Sequence, residues 1–128
     1  MEPQRRAQIM RNAARARARK KGQPFDLPLE WFIDRLTRGR CEATGLPFVW
    51  QPRVLHQHRE NSFAPSTERL DSSLGYTVDN CIMTVWVYNR AKSAGVAADV
   101  MRMAHALVRA DGLSVDEIVR LYDVEMAA

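Results

Sequence analysis

A mostly helical α+β fold with one small hairpin is what this sequence predicts, and three observations predict it. Apolar residues recur at helical spacing over about 28–38, 97–110 and 115–124. Residues 66–71 and the strand-like run Cys81-Ile82-Met83-Thr84-Val85 flank a polar, glycine-containing loop, as two paired strands would. With 128 residues, 46% of them hydrophobic and 27% charged, the chain has material for one modest core.

The first element is a basic arm over 1–21, set before a single domain over 22–128. It holds eight Arg and Lys against the single acid Glu2, a local charge of +7, while the remainder sums to −3. Ala and Arg favour helix, and Arg11, Arg15 and Arg19 fall on one stripe. Beyond Ala, only Ile9 and Met10 could anchor such a helix, so it is expected to firm up on a partner and to fray when free. A basic arm on a mildly acidic body points to a polyanion, nucleic acid first. Arg11, Arg15, Arg17, Arg19, Lys20 and Lys21 are its candidate contacts. The same composition imitates a mitochondrial transit peptide, and a solvated tail is the plain alternative.

Gly22-Gln23-Pro24 breaks the arm from a second helix, about 28–38, with Pro28 in its first turn and Gly39 at its end. Cys41 to Phe48 reads as a tight, knuckle-like corner. Residues 49–64 lack periodicity and read as loop, with a short strand near 49–54. After the hairpin, a helix over about 86–93 carries Trp86, Asn89 and Lys92 at helical spacing. Ala97–Ala110 follows, with Val100, Met101, Met103, Ala104 and Leu107 expected to face inward, and Asp111-Gly112 stops it. Ser114 and Glu117 form a capping box for a last helix, about 115–124. The expected core is Trp31, Phe32, Leu46, Phe48, Ile82, Val85, Trp86 and Tyr88. Cys41 and Cys81 are too few and too far apart for a disulfide framework or a four-cysteine zinc site, which suggests buried thiols and a cytoplasmic setting. No membrane-length apolar run or signal-peptide core is present.

Four groups of residues occur in order: Cys41/Thr44/Gly45/Pro47/Phe48, Pro65/Ser66/Glu68/Arg69/Asp71, Gly75/Tyr76/Thr77/Asp79/Asn80, and Asn89. Over about 38–92 this set resembles the HNH (His-Me finger, ββα-metal) endonucleases, most nearly short phage proteins related to the endonuclease VII type. The resemblance implies a ββα core over about 66–93, with C-terminal helices over about 97–124. It also implies metal-dependent hydrolysis of DNA, duplex or branched, in the host cytoplasm. Position by position, Glu68 matches the first-strand metal ligand, Asn89 the helical ligand, and Asn80 the central asparagine that braces the loop. A carboxylate, an amide oxygen and waters suit Mg2+ or Mn2+. Zinc is not expected, because the first CxxC pair of the zinc-stapled relatives is reduced to Cys41-x-x-Thr44 and no pair follows Asn89.

Arg69 stands where those enzymes keep a catalytic histidine. A guanidinium only donates and stays charged, so Arg69 is no conventional base. It could stabilise charge on a reacting phosphate, clamp phosphate without catalysis, or serve structurally beside Asp71 or Glu68. Asp71 is either a supporting carboxylate or a loop cap. His58, or His56 beside it, could supply a substitute base from the preceding loop, whereas His105 is expected to be structural. Trp86 and Tyr88 fit core positions better than base-stacking ones. Cleavage is the leading expectation from these residues. The alternative is an inactive, HNH-like DNA-binding protein that grips DNA through the arm, Arg69, Arg90 and Lys92. A protein partner on the 97–124 helices is a third possibility.

Overall fold

The computed structural model describes residues 3–50, 61–112 and 114–122. Helices α1 (Pro3–Lys21) and α2 (Leu29–Arg38) come first, then strand β1 (Pro65–Arg69). A 3-10 turn at Val78–Asn80 leads into β2 (Cys81–Val85), followed by α3 (Trp86–Lys92), α4 (Ala97–Asp111) and α5 (Val115–Tyr122). β1 and β2 pair antiparallel, from Pro65 opposite Val85 to Arg69 opposite Cys81. Val85 is both the last strand residue and the N-cap of α3. With no loop between them, the helix lies directly against the hairpin.

The N-terminal segment is a wall of the domain rather than a loosely anchored arm. Ala7, Ala14 and Ala18 are buried, and α1 packs along α2. Small side chains are what permit this, because a stripe of methyl groups lets two helix backbones approach closely. α2 presents Trp31, Phe32 and Leu36 to the core and ends at Gly39, whose φ of 75° is the left-handed value glycine tolerates.

The corner after α2 closes through the Cys41 N–H to the Leu46 carbonyl and the Gly45 N–H to the Cys41 carbonyl, both 2.9 Å. Glu42 ties this corner to the sheet. Its carboxylate accepts from Arg35 Nε at 3.1 Å and from the Met83 N–H.

The core is set by the side of β2 that carries Cys81, Met83 and Val85, together with Leu27, Phe32, Leu36, Cys41 and Tyr76. Ile82, expected inside, is only half-buried, because strand alternation sends it to the opposite face from Met83. Trp86 is also only half-buried. A second correction concerns α4. Met101, Met103 and Leu107 are exposed, not inward. The helix packs against α3, which is only seven residues long and is itself taken up by both strands. Too little surface remains there to cover an apolar stripe.

Val49 and Trp50 are not in a strand. Residues 51–54 of the expected strand, with His56 and His58, lie outside the described residues. No helix among the described residues is long and apolar enough to cross a membrane.

Candidate functional site

The loop between the strands is held by its own polar side chains. Asn80 donates Nδ2 to the carbonyls of Asp71 (3.0 Å) and Gly75 (2.8 Å), and its Oδ1 accepts from the Asp71 N–H at 3.0 Å. One buried amide therefore pins both ends of the loop. Asp71 caps the turn, accepting from the Ser73 hydroxyl at 2.6 Å and the Ser73 N–H at 2.9 Å. These bonds to the charged form hold its carboxyl below the usual range.

Arg69 points into this loop. Its NH1 donates to Gln23 Oε1 at 2.8 Å, to the Ser72 carbonyl at 2.9 Å and to the Leu74 carbonyl at 3.4 Å, and its guanidinium lies 4.8 Å from the centre of the Tyr76 ring. The loop in turn docks on the segment after α1. Tyr76 donates its N–H to the Pro24 carbonyl, Asp26 N–H reaches the Tyr76 carbonyl, and Gln23 Nε2 reaches the Ser73 carbonyl. The Gly-Gln-Pro break thus provides a docking strip for the loop as well as a helix stop.

Glu68 on β1 and Asn89 on α3 each have hydrogen-bond partners. Glu68 is 2% exposed, and its Oε1 accepts from Lys92 Nζ at 3.0 Å. The same ammonium donates to the Arg69 carbonyl at 2.9 Å. Burial pushes the Glu68 carboxyl above its usual range despite the opposing pull of Lys92, and Oε2 is buried without a partner among the described residues. Asn89 spends Nδ2 on Ser66 Oγ (2.8 Å) and the Thr67 carbonyl (3.2 Å). Lys92, expected on the DNA-facing surface, is instead 4% exposed. It sits one turn beyond Asn89 on the same helix face, the side that meets β1.

Two depressions open beside Asn89 and Arg90. One, of about 470 Å³, lies between α1 and the β1–α3 layer, where Arg6, Arg17, Ser66, Tyr76, Asn89 and Arg90 line it. The other, of about 290 Å³, is lined by Lys21, Arg69, Ser72, Asn89, Arg90 and Ser93. Among the described residues, no acid lines either. Of the expected DNA contacts, Arg17, Lys21 and Arg90 reach these openings. Arg11 does not. It donates Nε to the Leu27 carbonyl at 2.9 Å and stacks on Phe25. Arg15, Arg19 and Lys20 are exposed and line neither depression. His105 is exposed on α4.

Helix, hairpin, braced loop and following helix together make a ββα unit with accessory helices. The structure is similar to that of the rare-cutting HNH restriction endonuclease PacI, with a TM-score of 0.56 and 17% sequence identity, over 84% of this chain and 82% of that one. The fold is HNH-like. No family model matches the sequence, and no curated protein matches it.

In this HNH-like unit Glu68 Oε1 and Asn89 Nδ2 are hydrogen-bonded within the protein, while Glu68 Oε2 has no partner among the described residues. The Lys92 ammonium sits on Glu68 Oε1, and both side chains are buried. Among the described residues, no three of His, Cys, Asp and Glu gather to hold a metal. The site residues that sequence reasoning missed are Arg6, Ser66 and Gln23, along with the pairing role of Lys92. Arg6, Met10, Ala13 and Arg17 recur at i, i+4, i+7 and i+11, a face visible in principle beside the Arg11/Arg15/Arg19 stripe. Ser66 stood in the motif without a role of its own and Gln23 carried no local signal; their partners are 23 and 46 residues away.

Proposed function

We propose that this protein binds DNA, using the HNH-like unit to present the Asn89–Arg90 end of α3 to the phosphate backbone. The observation that supports this most directly is the pair of adjoining depressions lined by Arg6, Arg17, Lys21, Arg69 and Arg90 with no carboxylate among the described residues. Polyphosphate backbones are drawn to such a surface without sequence preference. The likeness to a DNA-cutting protein agrees with it, although fold alone does not assign activity.

DNA cleavage with Mg2+ or Mn2+, in a protein of phage type, is the second reading. The placement of Glu68 on β1 and of Asn89 on the adjoining α3, where the Asn89 amide bonds to Ser66 and Thr67 of that strand, favours it. The Lys92 ammonium on Glu68 and the absence of a proton acceptor in Arg69 weigh against it. For this reason binding is placed ahead of cleavage.

One experiment separates the two. Labelled duplex and single-stranded oligonucleotides are each tested for a shift by the protein in EDTA, and plasmid nicking is then followed with Mn2+ added. Shifting without nicking is the expected result. Nicking that disappears in both Glu68→Ala and Asn89→Ala would establish the endonuclease reading, and failure to shift DNA under either condition would overturn the proposal.

A further inference from the structure

We propose that the trough between α1 and the β1–α3 layer seats the sugar-phosphate backbone of a single DNA strand, gripped by Arg6, Arg17 and Arg90. The inference rests on the DNA-binding reading and names which part of the nucleic acid enters, and where.

All three arginines are held over aromatic rings. Arg6 lies 5.3 Å from the ring centre of Trp50, Arg17 5.3 Å from that of Tyr76, and Arg90 5.6 Å from that of Trp86. Arg17 is further fixed by donating Nε to the Tyr76 hydroxyl at 3.0 Å. A guanidinium stacked on a ring keeps its edge donors for an anion and has already lost much of its side-chain freedom. Such a group binds phosphate at a lower entropic cost than a free surface lysine.

Helix geometry gathers these groups and separates them from the rest of the basic segment. At 100° per residue, Arg6, Met10, Ala13 and Arg17 share one face of α1 and line the trough. Ala7, Ala14 and Ala18 take the core face. Arg11, Arg15 and Arg19 lie about opposite the trough face. The small Ala13 leaves space between the two arginines, and the floor is polar, with Ser66 and Asn89 bonded to one another.

Size selects the ligand. A cavity of about 470 Å³ is of small-molecule scale. It suits one phosphate and its sugar, so the backbone of one strand fills it, and paired bases would have to stay outside. The trough meets the second depression at Asn89 and Arg90, so a strand leaving it passes toward Arg69 and Ser72.

The test uses the full chain with a single-stranded oligodeoxynucleotide and the blunt duplex of the same sequence, each titrated over a range of salt. Arg6→Gln/Arg90→Gln is compared with Arg15→Gln/Arg19→Gln, which removes equal charge outside the trough. Thermal melting verifies that both variants fold. The trough pair is expected to weaken single-strand binding about tenfold or more and to reduce the salt slope by about one or two, while the control pair changes affinity less than about threefold. Equal losses in the two variants would overturn the trough as a seat, as would a loss confined to the duplex. Wild-type protein that binds neither DNA would instead defeat the underlying DNA-binding reading.

Discussion

Glu68 on β1 and Lys92 on α3 form an ion pair at 3.0 Å, with their side chains 3% and 2% exposed. The pair fastens the helix to the first strand and occupies the carboxylate on which a cation would depend. Its energetic character follows from burial. Each ion has given up its water, so removing one partner leaves the other uncompensated. Lys92→Met is expected to destabilise the protein by about 3–5 kcal/mol, and Glu68→Gln/Lys92→Met by clearly less than that single change. Urea unfolding of the wild type and these variants measures both. A single-variant cost below about 1 kcal/mol would mean that the pair behaves like a solvated surface bridge.

Arg69 acts as the loop's clamp through one nitrogen shared among Gln23, Ser72 and Leu74. A lysine keeps the charge but not the planar fork or the stacking on Tyr76. Arg69→Lys should therefore cost about 1–2 kcal/mol and expose the 70–78 loop to proteolysis. Thermal melting and limited digestion check this. Unchanged loop protection would show that the charge alone suffices.

Gly75 is required by contact. A Cβ at this position would lie 2.1 Å from the Pro24 carbonyl oxygen and 2.9 Å from Pro24 Cδ. The loop would have to leave its docking strip. Gly75→Ala should lower stability by about 3 kcal/mol, whereas Gly22→Ala, where nothing lies within 4 Å, should cost only the strain of its φ of 64°. Comparing the two melting temperatures separates crowding from backbone strain.

Cys81 makes a pH-dependent prediction. Burial pushes its thiol up to about 12 from an ordinary 9.0. The unfolded chain thus loses this proton at a lower pH than the folded one. Stability from this group is complete below pH 9.0 and falls as pH rises from there toward about 12. Cys81→Ala should flatten that alkaline decline. In native protein near pH 8 the thiol should resist a disulfide reagent and react once denaturant is added. Rapid native labelling would contradict the burial.

Much of the local structure was legible because it is encoded within a few residues. Gly39 and Gly112 end α2 and α4 with positive φ. Pro28 precedes α2, and the Glu117 N–H bonds to Ser114 Oγ at 3.2 Å. The hairpin and α3 also form where the residue pattern places them. Other features were not local. Whether α1 was a free arm or a wall depended on alanine methyls meeting α2. The exposure of α4 depended on how little of α3 remained to cover it.

The sequence by itself determined the order and type of the elements and the HNH-like hairpin with its polar loop, along with the concentration of positive charge at the N-terminus. These arise from period, capping and turn chemistry, which act between neighbours along the chain. Only the tertiary structure decided what the charged groups do. It turned Arg69 into the loop and buried Lys92 against Glu68. It also brought Arg6 and Arg17 across from Arg90 on a single trough. A charge acquires its role from the atoms that desolvate and pair with it, and here those atoms come from distant parts of the chain.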